Sequence, residues 1–234
     1  MGDDEYSAVE TDADASHSIP LVGTTLILGP SNVGKTTQTA RALERWVDAH
    51  GTEGVVVFDF APELNREGTL LGGRLDRVTD LLGDGVDSAV DGGEDDKGRE
   101  RDEPGEADES SERATVSRPH GLWYGVLDAH APRAEGATED DAVALAAENA
   151  TGAARLLERA PTDPRAVFVN DATIACQRLS GDTDCLLAYC ARANAAVLNA
   201  FESDELGVDD VVSRQERTAL ATLVAGADRV VRLS

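Results

Sequence analysis

The chain has 234 residues with 41% hydrophobic content, enough to bury the core of one α/β domain, and a net charge of −24. Acidic residues are spread over most exposed segments, and only two lysines, Lys35 and Lys97, stand against nineteen arginines; this is the composition style of salt-in halophile proteins, whose carboxylates keep them hydrated at molar salt. No apolar run approaches the eighteen residues of a membrane span, and no basic stripe with interleaved aromatics supports nucleic-acid binding, so a cytoplasmic chain without a membrane segment is expected.

Residues 1–18 are polar and acidic and are expected to form a disordered tail ahead of one domain, 19–234. Thr25-Leu26-Ile27-Leu28 is a β-prone run leading into Gly29-Pro30-Ser31-Asn32-Val33-Gly34-Lys35-Thr36, with Thr37 next. This fits G-x-x-x-x-G-K-[ST], the phosphate-binding loop. Its glycines let backbone N–H groups converge on phosphate oxygens, Lys35 supplies a point charge for the β- and γ-phosphates, and Thr36 supplies a hydroxyl for Mg²⁺. The following residues, with Ala40, Leu43 and Val47 on one face and Gly51 as a stop, predict a helix whose N-terminus favours an anion.

Val55-Val56-Val57-Phe58-Asp59-Phe60 reads as a strand buried on both faces, with Asp59 at its carboxyl end and Glu63 in the loop beyond. Leu71, Leu75, Val78 and Leu82 predict a second helix, interrupted by Gly72-Gly73. From Asp84 to Arg113 there are thirteen acidic residues and no Leu, Ile or aromatic; a disordered acidic insertion is therefore expected over 84–118. Leu122-to-Asp128 resumes the fold. Thr138-x-x-Asp141 is a capping box opening a helix with the stripe Val143, Ala147, Ala150, Ala154 and Leu157.

Ala166-Val167-Phe168-Val169-Asn170-Asp171 is another buried strand ending in polar groups. A short helix near Asp184 to Arg192 leads to the run Ala195-to-Phe201, after which Ser213-x-x-Glu216 predicts a second capping box before the terminal strand Asp228-to-Leu233. Six strands separated by helical segments predict a three-layer α/β fold with a mainly parallel, doubly wound sheet. Cys176, Cys185 and Cys190 carry no metal spacing, and His17, His50, His120 and His130 are scattered.

Taken together, the loop, Val55-to-Glu63, Phe168-Val169-Asn170-Asp171-Ala172, Leu198-to-Glu202 and the ending Ala227-Asp228-Arg229-Val230-Val231-Arg232-Leu233 resemble the RecA/KaiC-like branch of P-loop NTPases, over Leu21 to Leu233 apart from the insertion. The resemblance implies ATP and Mg²⁺ as ligands, hydrolysis as the reaction, Asp171 with Thr36 at the metal, and Glu63 or Asp59 as the carboxylate that positions the attacking water. Asn170 stands where that pattern has its metal-side Asp, so that either Asn170 or Asp171 holds the position; with Asn170 there, Asp171 becomes the catalytic carboxylate. The resemblance also implies a homo-oligomer or protein partner, with Arg178, Arg214 or Arg217 as candidate arginine fingers and Glu202, Ser203 and Asp204 as candidate γ-phosphate sensors. Three alternatives remain open: a small-molecule phosphotransferase or adenosyltransferase, a MinD- or metallochaperone-like NTPase using Asp59 at the metal, and a nucleotide-binding protein that does not hydrolyse.

Overall fold

Glycine-bounded β-branched runs make the centre of the molecule a sheet, and two kinds of helix cover it. The computed structural model describes residues 18–66, 69–71, 73–82, 114–115, 120–178, 182–203 and 209–234. Along the chain these form β1 (Gly23–Gly29), α1 (Lys35–His50), β2 (Val55–Asp59), a hairpin of β3 (Leu64–Arg66) and β4 (Thr69–Leu71), and β5 (Ala114–Thr115). There follow β6 (Leu122–Val126), α2 (Pro132–Glu135), α3 (Glu139–Arg159), β7 (Ala166–Asn170), α4 (Asp182–Cys190), β8 (Ala195–Phe201), α5 (Val211–Gly226) and β9 (Arg229–Arg232).

The main sheet has the order β5-β6-β2-β7-β8-β1-β9. Six strands are parallel, and the two-residue β5 lies antiparallel on the β6 edge. The expected α/β class with a mainly parallel sheet is therefore present. Because strand side chains alternate between faces, β2 sends Val56 and Phe58 to one side and Val55 and Val57 to the other. The first side packs with Leu156 of α3, Leu186 of α4 and Leu223 of α5; the second packs with Leu43 and Trp46 of α1 and with Leu75 and Leu82. Sealing large side chains such as Phe58, Phe168 and Leu198 stabilises the fold by roughly 1.5–3 kcal/mol each.

Several local expectations meet the structure in different ways. The Thr138 capping box forms in full: the Asp141 N–H donates to the Thr138 hydroxyl at 3.1 Å and the Thr138 N–H donates to the Asp141 carboxylate at 3.0 Å. The α3 core face is turned from the expected stripe: Ala146, Ala150, Ala153 and Leu156 are sealed, while Val143, Ala147, Ala154 and Leu157 lie on its flank. Asn149 and Gly152 on the sealed face explain the turn, since both are kept there by contacts that a count of apolar residues misses.

The helix expected over residues 71–82 does not form. Its place is taken by the β3–β4 hairpin and a single 3₁₀ turn, Leu75–Arg77, because Gly73 and Leu75 give their backbone groups to side chains of the sheet instead of to a helix. The capping box expected at Ser213 is also corrected. Asp210 caps α5, accepting the Ser213 N–H at 2.8 Å, and Glu216 is drawn away to another partner. The acidic tail and the insertion lie outside the described residues apart from Ser18 and Ala114–Thr115. No helix among the described residues is long and apolar enough to cross a membrane.

Candidate functional site

Parallel strands all present their carboxyl ends at one edge of the sheet, and there the glycine-rich loop Gly29–Thr36 joins β1 to α1. Its shape follows from residue type. Gly29 has φ 157°, and a Cβ at this position would stand 2.7 Å from the backbone oxygen of Leu233, so no larger residue fits without moving the chain end. Gly34 has φ 90° and is the N-cap of α1; Asn32, at φ 61°, is one of the few side chains that tolerate that region. The base of the loop is pinned from both neighbouring strands, by the Glu202 N–H donating to Gly29 O at 3.0 Å and the Leu233 N–H donating to Leu28 O at 2.8 Å.

The first intrahelical bond of α1 runs from the Gln38 N–H to Gly34 O, so the loop ends at a helix N-terminus, the end of a helix that favours an anion. Lys35 turns back over the loop, its ammonium donating to Pro30 O and lying 5.8 Å from the centre of the Phe201 ring. A glycine-bounded loop, a helix N-terminus and a cation thus lie together, a combination whose chemistry favours an anion.

Below the loop lies a buried polar cluster built from three strands. The Thr36 hydroxyl donates to Oδ1 of Asn170 at 3.2 Å, and Asn199, within β8, donates to the same oxygen at 2.8 Å and to the Thr39 hydroxyl at 2.9 Å. The Asn170 amide donates to Asp59 Oδ1 at 2.8 Å and to Gly73 O at 2.7 Å. Asp59 is fully buried; its Oδ2 also accepts the Leu75 N–H at 2.7 Å and the Tyr124 hydroxyl at 3.1 Å. Burial raises the Asp59 pKa to about 6 despite those bonds, and burial together with the Asp59 charge pushes the Tyr124 hydroxyl upward.

Of the two residues Asn170 and Asp171, it is Asn170 whose side chain meets the Thr36 hydroxyl. Asp171 follows with φ 59°, its N–H donating to Asn199 Oδ1 at 3.0 Å, and among the described residues none donates a hydrogen bond to its carboxylate. Its side chain borders a chamber of about 220 Å³ whose wall includes Ser31 of the loop, Arg133, Gln177, Phe201 and Glu216. Burial first, and then the negative charge of Glu216, raise the Asp171 pKa to about 7 against the opposing pull of Lys35 and Arg133.

Arg133 and Glu216 form an ion pair across the chamber, with Arg133 also donating to the Ser213 hydroxyl at 3.2 Å. Behind them Gln177 donates to Glu216 Oε1 at 2.6 Å, and Asn149 donates to Gln177 Oε1 at 3.1 Å while holding both backbone groups of His130. The chain of bonds ties the start of α2 to α3 and α5. Spacing connects Glu216 only with Ser213, whereas the partners these four residues take are 19 to 83 positions away in sequence, so spacing alone could not find the chain of bonds.

The remaining candidates are placed elsewhere. Asp59 is hydrogen-bonded to the site through Asn170, and Glu63 is paired with Arg77 and lies 3.4 Å from Arg74. Arg178 and Arg214 line a separate cavity of about 410 Å³ beside α5, and Arg217 lines one of about 540 Å³ beyond the Arg133–Glu216 pair. Glu202 forms a two-pronged pair with Arg232, bracing the β8 and β9 ends; Asp204 lies outside the described residues. Among the described residues no group of three or more His, Cys, Asp or Glu is placed to hold a metal ion. No family model matches the chain, and no curated protein matches it.

Proposed function

We propose that this protein binds the phosphates of a nucleoside triphosphate, ATP in the first instance, on the loop Gly29–Thr36 and hydrolyses it. One observation carries the reading: the loop's anion-binding groups open at Ser31 onto the chamber that holds the Asp171 carboxylate and the Arg133 guanidinium. The loop N–H groups and Lys35 hold the β- and γ-phosphates. Asp171, which has no hydrogen-bond donor among the described residues, accepts the proton of the attacking water as its oxygen adds to the γ-phosphorus and the bond to the leaving diphosphate breaks. Arg133 opposes the negative charge that spreads over the transferring group.

For magnesium the residues beside the loop offer the Thr36 hydroxyl and an Asn170 oxygen that already accepts Thr36 and Asn199, with no carboxylate between them, so an ion there would be held mainly by the phosphates. The ion would supply charge neutralisation on the β- and γ-oxygens. Asp59, the metal residue in a MinD-like reading, has its carboxylate committed to four donors of the protein itself, which supports a positioning role instead.

A second reading, transfer to a small-molecule acceptor, is favoured by the size of the chamber, since about 220 Å³ exceeds the roughly 30 Å³ share of one water. Turnover of ATP and GTP in molar KCl, with phosphate release measured for the parent, Asp171→Ala and Asp59→Ala, tests the proposal. Phosphate release lost in Asp171→Ala with nucleotide binding retained is the expected result. Binding without turnover in the parent points to the transfer reading or to a binder, and loss of turnover only in Asp59→Ala rejects the role given to Asp171.

A further inference from the structure

The side chain that meets the Thr36 hydroxyl is an amide on β7, and the carboxylate bonded to that amide stands one strand further on, in β2. Asn170 is a side chain with two donors and one acceptor oxygen, and every one of these is committed: both N–H groups go to Asp59 Oδ1 and Gly73 O, and the oxygen receives Thr36 and Asn199. The amide therefore has one facing only. Turned over, its NH₂ would meet the NH₂ of Asn199 and its oxygen would meet the Asp59 carboxylate, two repulsive contacts in a site where Asp59 and Asn170 have 0% and 1% exposure. Asp59 is thus what aims a neutral oxygen at the Thr36 hydroxyl.

A carboxylate beside Thr36 has two effects on a triphosphate. It repels the phosphates when no cation accompanies them, and it attracts the cation when one does. Both effects make binding depend on the cation. An amide has neither, the negative charge of Asp59 lies behind that amide, sealed by the Leu75 N–H, the Ala61 N–H and the Tyr124 hydroxyl, and the remaining carboxylate, Asp171, stands on the chamber side where the charges of Lys35 and Arg133 oppose its own. Gly73 completes the enclosure: a Cβ on it would lie 3.1 Å from Thr36 Oγ1, so the strap after β4 passes directly over the hydroxyl.

We infer that Asp59 and Asn170 act together as a split acid, with Asp59 as a positioning residue, and that the protein binds free and magnesium-complexed nucleoside triphosphate with nearly equal affinity. The inference rests on the nucleotide reading above and goes beyond it by assigning the form of nucleotide the site accepts.

The experiment is titration of the full chain with a fluorescent ATP analogue in molar KCl, with Mg²⁺ and with EDTA in its place. The parent dissociation constant is expected to change by less than about threefold between the two, well inside one decade of affinity. Because Asn170→Asp alone would set two carboxylates 2.8 Å apart, the informative variant exchanges the pair, Asp59→Asn with Asn170→Asp. It keeps one carboxylate but places it beside Thr36, and its affinity is expected to fall about tenfold or more when Mg²⁺ is withdrawn. A tenfold dependence in the parent overturns the split acid and needs no variant to do so. A folded exchange variant with the parent's small dependence overturns it too. If the parent binds the analogue under neither condition, the nucleotide reading itself falls and takes this inference with it.

Discussion

The Asp59 carboxylate accepts a 2.8 Å hydrogen bond from the Asn170 side chain, both residues being buried, so a charge on β2 fixes the facing of a neutral group on β7. Removing it orphans the Asn170 amide, the Leu75 N–H and the Tyr124 hydroxyl together. Each buried polar group left without a partner costs about 1–3 kcal/mol. Asp59→Ala is therefore expected to lower stability by several kcal/mol, seen as a lower midpoint in urea, with a smaller loss for Tyr124→Phe, which removes one donor. Equal midpoints for parent and Asp59→Ala would contradict the bonding described.

Lys35 turns back over the loop, and its ammonium lies over the Phe201 ring rather than in either core. Lys35→Ala is expected to weaken binding of the ATP analogue by about 100-fold, near the energy of one charge-assisted contact with phosphate, while leaving the thermal midpoint within a few degrees of the parent. Undiminished binding in this variant would remove the loop from the site.

The raised Asp171 pKa, about 7, has opposite consequences for stability and for turnover. The folded state holds this proton more tightly than the unfolded chain, whose carboxyl titrates near its ordinary value of 3.8. Stability from this group is thus fully present below about pH 4 and is lost as pH rises to about 7. Asp59, raised to about 6, adds to the same decline over a narrower interval. With Asp171 in its proposed role as proton acceptor, turnover is expected to rise through about pH 7. Melting curves across this range should show a shallower decline for Asp171→Asn than for the parent, and a parallel decline would place the titrating group elsewhere.

Glu216 and Arg133 bias Asp171 in opposite directions, which gives a paired test. Glu216→Gln removes a negative neighbour and is expected to move the midpoint of the pH–rate profile down; Arg133→Ala removes a positive one and leaves Glu216 unpaired, moving it up. Arg133→Ala should also cut the maximal rate by about 10- to 100-fold with little change in nucleotide binding, because the guanidinium acts on charge that develops during transfer. Shifts of the same sign in both variants would show that the ion pair only braces α2 against α5.

How far the sequence reveals this architecture depends on the range of the interactions concerned. The strands were legible because Val55–Phe58 and Ala166–Val169 are apolar runs whose β preference needs no distant partner, and the Thr138 box closes within one helical turn. Residues 71–82 misled because Leu75 and Leu82 do enter the core, as a helical stripe would, while the path between them is dictated by Asp59 and Asn170. Asp210 took the α5 cap from Ser213 by offering its carboxylate three residues earlier. The strand order was hidden as well, and with it the meeting of Thr36 and Asn170, which are 134 positions apart.

The insertion of β8 between β1 and β7 puts Asn199 into the same cluster as Thr36, Asn170 and Asp59. Four elements then share one amide whose every bond is already assigned. A single change at 59, 170 or 199 leaves a neighbour facing a group of its own kind, whereas a matched change at two of them restores the pairing. The cluster is therefore expected to accept change at 59 and 170 as a matched exchange and to resist it at either position alone.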